Sequence, residues 1–219
     1  YEMLRSLVGS EMCIRDRETI ARLYAGGELF LHIGVTLYET VLGFVLGTAA
    51  GTLIAITLWW SPAINRVLDP YLVVLNALPK IALGPILIVW FGAGITSIIV
   101  MALLISFVVT IMSVLAGFNE ITGEKQLLMK TLGASKLQIF TMVVLPASLP
   151  TIMNALKISV GMSWVGVIVG EYLVSKAGLG YLIVYGGQVF KLDLVMASIV
   201  VLCLLAALMY YGVAYMEKK

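Results

Sequence analysis

Long runs of residues without a charge dominate this chain. No Asp, Glu, Lys or Arg occurs between Glu39 and Arg66, from Ile81 to Asn119, or from 194 to 216. A helix needs about 20 apolar residues to cross a bilayer. The runs are continuously apolar, without the alternation that is typical of membrane β-strands. The chain is therefore predicted to be an all-α polytopic membrane protein.

The positions of the charges predict five transmembrane helices. The longest uncharged run is long enough for nearly two crossings, and Gly92-Ala93-Gly94 inside it indicates a tight hairpin. Another span is apolar except for Lys157, which can extend its amine to the nearer interface. The predicted spans are residues 36–60, 71–91, 95–117, 151–171 and 194–216.

Composition excludes most other classes of function. Only 12% of the residues are charged and 61% are hydrophobic, and the net charge of +2 is too small to attract a nucleic acid. Two cysteines, Cys13 and Cys203, and one histidine, His32, leave no ligand set for a metal and no catalytic cluster. A phosphate-binding loop of the type G-x-x-x-x-G-K-[ST] is also absent from the sequence. We therefore expect no enzyme activity, no metal and no cofactor.

Loop charges predict the orientation, because cytoplasmic loops carry an excess of Lys and Arg. The loops 61–70 and 118–150 and the C-terminus hold six such residues, and the loops 18–35 and 172–193 hold three. The side with six is predicted to be cytoplasmic, which places the C-terminus in the cytoplasm.

Glycines recur every four residues in the first span, at Gly43, Gly47 and Gly51. This spacing places them on one helix face, where small residues allow close packing of membrane helices. Packing inside the subunit or at a dimer seam is the favoured interpretation, and a role in gating is the alternative.

The second span begins with an unusual density of prolines. Pro70, Pro79 and Pro85 fall within about sixteen residues, and proline removes a backbone donor and kinks a helix. A bent helix packed against its neighbours and a kink that lines a translocation path are both open interpretations. Lys80 follows Pro79 and would suit an anionic substrate if it faces a cavity.

Three polar residues lie near the outer ends of the predicted spans. His32 is interpreted as an interfacial side chain rather than a ligand. For Glu39 and Glu171, solvated helix ends are favoured over a role as pathway or gate residues, although intramembrane charges are costly and often functional.

The segment 118–150 predicts a cytoplasmic helical hairpin, with helices at about 122–132 and 136–145. Gly133 suits the position that ends the first helix, and Ser135 with Gln138 forms a capping-box pattern for the second. Pro146 and Pro150 are expected to separate the hairpin from the next span.

Apolar residues on this hairpin predict its role. Leu137, Ile139 and Phe140 are expected to be exposed, and such apolar residues suit the hairpin to docking a partner. The alternative is an amphipathic hairpin that lies on the lipid headgroups.

A family motif coincides with this hairpin. Gly133-Ala134-Ser135 and, after the right spacing, Val143-Val144-Leu145-Pro146 resemble the EAA loop of permease subunits in binding-protein-dependent ABC importers. That motif is E-A-A, three residues, G, nine residues, then I-x-L-P. Val143 replaces the isoleucine, and Leu127-Leu128-Met129 stands where the family has E-A-A. The departure affects any polar contact of the family glutamate, but not the docking hairpin itself.

Further blocks resemble the nitrate, sulfonate and taurine type of these permeases over about residues 18–219. They are LPKIALGPILIVWFGAG, GLGYLI and the long stretch from KTLGASK to VGEYL. The resemblance implies a bacterial inner-membrane permease that dimerises with a second copy. It also implies cytoplasmic ATP-binding subunits, an extracytoplasmic solute-binding protein and a small, anionic solute. The alternative class is an ion-coupled secondary transporter or channel without an ATPase partner.

Members of this family usually have six spans, whereas five are predicted here. Residues 1–17 carry three arginines and cannot span a bilayer, and LVGSEMCIRDR resembles translated sequencing-adaptor read-through. The hypothesis is that residues 1–17 are not native and that a first span has been lost. A short native cytoplasmic tail is the alternative, and it conflicts with the predicted topology.

Overall fold

A computed structural model describes residues 28–120 and 123–217. The hypothesis about residues 1–17 concerns a segment outside these described ranges. Within them the chain is helical and contains no strand. The helices are α1 Glu28–Trp60, α2 Pro62–Ala77, α3 Gly84–Phe91, α4 Ile95–Asn119, α5 Gly123–Thr131, α6 Lys136–Val174, α7 Leu179–Gln188 and α8 Leu192–Glu217.

Four of these helices, α1, α4, α6 and α8, are long and apolar enough to cross a membrane. The pair α2 and α3 meets the same test together, but it is bent by 85° at a break that includes the short 3-10 turn Lys80–Leu83. Each predicted span therefore corresponds to a helix or to this bent pair, and the all-α polytopic fold class is confirmed.

The expected separation of the hairpin from the fourth span is wrong. Pro146 and Pro150 lie inside the continuous helix α6, which begins at Lys136 rather than near residue 151. A π-helical turn over Phe140–Val144 precedes them, and the Leu145 N–H donates to the carbonyl of Phe140, five residues back. A proline in a regular helix clashes with the carbonyl four residues earlier. The widened turn shifts the carbonyls at this point and allows the helix to continue.

Helix α4 lies between α1 and α6 and packs closely against both. A Cβ built on Gly43 would lie 2.8 Å from the Cβ of Ala102, and one on Gly51 would lie 2.9 Å from the Cβ of Thr110. Gly47 faces Ser106 in the same register. Small residues on both helices thus bring the backbones together inside one subunit, where van der Waals contact drives association of helices in lipid.

Helix α4 meets α6 in the same way, partly through the same residues. A Cβ on Gly166 would lie 2.5 Å from the Cα of Ala102, and one on Gly170 would lie 3.1 Å from the Cα of Ile98. The hydroxyls of Thr110 and Ser159 share a hydrogen bond of 2.7 Å across this contact. The three helices α1, α4 and α6 therefore form the packed centre of the subunit. The candidate functional residues lie at the two ends of this centre.

Candidate functional site

The turn between α5 and α6 is a glycine-closed hairpin at one end of this centre. Gly133 has φ of +78°. Its N–H donates to Lys130 O at 3.0 Å, and the N–H of Ala134 donates to Met129 O at 3.0 Å. This pair of bonds defines a Schellman cap, in which the residue after the helix takes the left-handed conformation. The predicted capping box is also present, because Ser135 and Gln138 exchange side-chain bonds with each other's backbone N–H.

Two side chains at the start of α6 fasten the hairpin to the end of α1. Lys136 Nζ donates to the carbonyl of Trp60, and it lies 5.6 Å and 5.5 Å from the ring centroids of Trp59 and Trp60. The ring of Phe140 packs against Trp59 at 5.0 Å and against Phe118 of α4 at 5.6 Å. The hairpin is thus packed against the ends of α1 and α4.

The hairpin exposes several large apolar side chains, but not all of those that were predicted. Leu137 is exposed as expected, whereas Ile139 and Phe140 are buried, at 3% and 8% exposure. Both point toward the core because the first turn of α6 packs on α1 and α4. The other large exposed apolar residues described in the hairpin are Leu127, Leu128, Leu132 and Met142. The first two occupy the positions of the family E-A-A.

Two of the remaining motif residues support the base of the hairpin. Ala134 and Leu145 pack against a buried cluster that includes Val144 and Phe118. Val143 is half-buried and Pro146 is exposed. A groove of about 410 Å³ lies beside them, and its lining includes Trp59, Asn65, Lys130 and Lys136.

The proline-rich elbow is an open bend between α2 and α3. Lys80 Nζ donates to Asn76 Oδ1 at 3.2 Å, one turn earlier in the chain. Pro79 and Pro85 flank the 3-10 turn. A Cβ on Gly84 would lie 2.5 Å from Leu173 Cδ1, so the elbow contacts α6 near Glu171.

At the other end of the centre, the expectation of solvated carboxylates is wrong. Glu39 and Glu171 are buried, with exposures of 0% and 1%. Glu171 accepts the hydroxyl of Thr36 at 2.6 Å on Oε1 and the N–H of Gly180 at 2.6 Å on Oε2. These donors replace the water that was expected around the carboxylate.

Three backbone N–H groups at the start of α7 donate to side chains. Gly178 N–H donates to His32 Nδ1 at 2.9 Å, and Leu179 N–H donates to Thr36 Oγ1 at 2.8 Å. Gly180 N–H reaches Glu171, as described above. A helix N-terminus leaves its amides unpaired and favours a negative charge. His32 is therefore a buried structural acceptor in this state, rather than the interfacial side chain that was expected.

Glycines make room for this arrangement. Gly178 has φ of +120°, and a Cβ there would collide with the Glu171 carboxylate. At Gly180 a Cβ would lie 2.8 Å from Glu171 Oε2. Sequence reasoning did not identify Glu171 as the partner of these glycines, and it missed Thr36. The available signal was the spacing of His32, Thr36 and Glu39 along one helix face.

Comparison with known proteins decides the class of the chain. Residues 43–219 match the family described as "Binding-protein-dependent transport system inner membrane component". The chain belongs to this family. It is thus a multi-pass membrane protein and a permease subunit of a binding-protein-dependent ABC importer, and the alternative of a secondary transporter or channel is set aside.

Relatives of the permease carry related names. It is 35% identical to a "Probable ABC transporter permease protein" of Haemophilus influenzae over 86% of this chain and 77% of the relative. It is 31% identical to the putative aliphatic sulfonates transport permease protein SsuC of Bacillus subtilis, over 92% and 73%. For the taurine transport system permease protein TauC of Escherichia coli, identity is 29% over 87% and 70%. These relatives are named as permeases and not as enzymes.

Solved structures show the same fold. The permease superposes on a chain of the MetNI methionine ABC transporter in an inward-facing conformation with a TM-score of 0.70 at 20% identity. The match covers 87% of this permease and 93% of that chain.

Proposed function

We propose that the permease forms the translocation path for a small anionic solute and couples it to separate ATP-binding subunits through residues 122–146. The observation that carries this proposal is the continuity of α6. This helix starts in the exposed hairpin and reaches Glu171 at the other end of the subunit without a break. A displacement of the hairpin would therefore pass along one rigid element to the opposite end.

The exposed leucines of the hairpin supply the docking surface. Leu127, Leu128, Leu132 and Leu137 have exposed fractions between 59% and 74%. An apolar surface beside a firmly packed base is suited to a groove on a partner. Moving a two-state equilibrium from 1:99 to 99:1 takes about 5.5 kcal/mol, so the joint has to transmit force without bending. The contacts of Lys136 and Phe140 provide that stiffness.

Orientation and assembly complete the proposal. The excess of Lys and Arg in the loops 61–70 and 118–150 supports an orientation with the hairpin and the C-terminus on the cytoplasmic side of a bacterial inner membrane. Apolar side chains such as Leu53, Val89 and Leu208 are exposed on the outer faces of the helices. We assign these faces to lipid and to a second copy of the permease, and the opposite end of the bundle to the solute-binding protein.

The relatives named for taurine and aliphatic sulfonates support a sulfonate-like anion as the solute. The elbow at Pro79, Lys80 and Pro85 is our candidate for the wall of the path, because it offers an ammonium group at a break in the helix. Glu171 is our candidate for a gate residue that ties α6 to α1 and α7 at the outer end.

A substitution at Gly133 tests the proposed coupling of the hairpin to the ATP-binding subunits. Gly133→Val is expected to lower solute uptake and solute-stimulated ATP hydrolysis about tenfold, because a side chain in the left-handed region costs roughly 1–2 kcal/mol and tilts the hairpin. No atom lies within 4 Å of a Cβ at this position, so the effect comes from the backbone alone. Uptake is measured in proteoliposomes that contain the permease and its ATP-binding subunits.

Gly133→Asn is the matched control, because asparagine tolerates the left-handed conformation. It is expected to retain most of the uptake. Full uptake by the valine variant would refute the assigned role of this turn.

A further inference from the structure

Glu39 has no hydrogen-bond donor among the described residues. Both of its carboxyl oxygens are buried without a partner that donates, and the residue is 0% exposed. Its carboxyl group lies close to that of Glu171, because Thr36, one turn before Glu39 on α1, donates to Glu171 Oε1 at 2.6 Å. A carboxylate that is buried without donors is among the most costly groups in a folded protein.

The two carboxyl groups differ in what surrounds them. Glu171 accepts from Thr36 on one oxygen and from Gly180 on the other, both at 2.6 Å. It also lies at the N-terminus of α7, where a negative charge is favoured. Two ionised carboxylates cannot be buried side by side without a large penalty. The donors therefore stabilise the negative charge on Glu171, and a proton on Glu39 turns an acceptor into the donor that the pair lacks.

The other titratable groups around the pair do not replace this proton. His32 of α1 accepts the N–H of Gly178 at Nδ1, so this nitrogen is not available to donate to Glu39. Tyr181 of α7 stacks on His32 at 6.1 Å. Lys176, in the turn after α6, is exposed and lines the same cavity as Glu39. The facing end of α4 contributes Gly94, Ile95 and Ile98 to this cavity and no titratable group.

We propose that Glu39 and Glu171 form a proton-binding site, in which Glu39 holds one proton and donates it in a hydrogen bond to Glu171. The site acts as a latch between α1 and α6. When the proton leaves Glu39 for water, the O–H···O bond is lost and two negative charges remain side by side. Their repulsion then favours separation of the two helix ends and release of α7. The cavity of about 350 Å³ beside Glu39 gives water a route to the site.

Infrared spectroscopy of the full chain in lipid nanodiscs tests this site directly. At neutral pH we expect the carbonyl stretch of a protonated carboxylic acid, and we expect it to disappear at alkaline pH together with a fall in the unfolding temperature. Glu39→Gln is expected to lack the band and to unfold at a temperature that no longer changes over that pH range. Its amide N–H donates to Glu171 permanently, which keeps the latch closed. Glu120→Gln, at an exposed carboxylate, is the control that should retain the band.

Glu171→Gln gives a second readout if Glu39→Gln is poorly folded. It should shift the band, because the acceptor of the Glu39 O–H changes from a carboxylate to an amide. A wild-type spectrum without a carboxylic acid band at neutral pH would overturn the proposal. So would a band that survives in Glu39→Gln, or an unchanged pH dependence of unfolding in that variant. None of these readouts depends on transport, so the site can fail while the proposed importer function stands.

Discussion

Gly166→Leu is expected to prevent the subunit from folding. Gly166 is the point at which α6 touches α4, and even a Cβ there would lie 2.5 Å from Ala102 Cα and 3.1 Å from Ala102 N. These are backbone atoms, which cannot rotate away as a side chain can. Overpacking in a close-packed interior costs typically 1–3 kcal/mol, and a leucine against the backbone should exceed the upper end of that range. The measurement is the yield of monodisperse protein and its unfolding temperature in detergent.

Gly161→Leu is the matched control on the same helix. Gly161 is exposed, and no atom lies within 4 Å of a Cβ at that position. The control should fold with an unfolding temperature near that of the wild type. If Gly166→Leu were as stable as Gly161→Leu, the close contact between α4 and α6 would be wrong.

Glu171→Ala is expected to have the second largest effect. It removes the acceptor for the Thr36 hydroxyl and for the Gly180 N–H, both of which lie in a buried site. Hydrogen bonds to a charged group contribute about 1.5–3 kcal/mol each. The Thr36 hydroxyl can still donate to the carbonyl of His32, 3.1 Å away, but the Gly180 N–H is left buried without a partner, which adds a desolvation cost. We expect a loss of about 3 kcal/mol or more in the free energy of unfolding. Faster amide hydrogen exchange should appear at Gly178, Leu179 and Gly180.

Glu171→Gln tests how much the negative charge contributes to stability, apart from the volume of the side chain. It keeps one oxygen acceptor and the volume of the side chain, so its loss of stability should be clearly smaller than that of Glu171→Ala. Unchanged exchange at the start of α7 in Glu171→Ala would contradict the capping role of this carboxylate.

The sequence predicted the parts of the fold that depend on local signals. Apolar run length located the spans because a bilayer sets the length of each crossing. Gly133 and Ser135 predicted the hairpin cap because conformation and capping act within a few residues. The predicted start of α6 was wrong because Pro146 was expected to interrupt the helix. The π-helical turn that accommodates this proline leaves no comparable signal in the sequence.

The buried polar contacts around Glu171 could not be predicted in the same way. Glu171 and Thr36 are 135 residues apart in sequence, and no local pattern pairs them. The bend of 85° at Pro79 was predicted as a kink, but its angle depends on packing against α6. Burial of Glu39 and Glu171 required the three-dimensional contacts of α1, α6 and α7.

Copurification with an ATP-binding subunit of the same importer tests the central claim most directly. The two chains are expressed together, the permease alone carries the tag, and ATP-dependent accumulation of the solute is then measured in proteoliposomes. The account predicts that wild-type permease retains the ATPase and accumulates solute only with ATP. A variant with aspartate in place of the exposed Leu128 and Leu132 should fold normally and lose both properties. A permease that accumulates solute without any ATPase, driven by an ion gradient, would contradict the account.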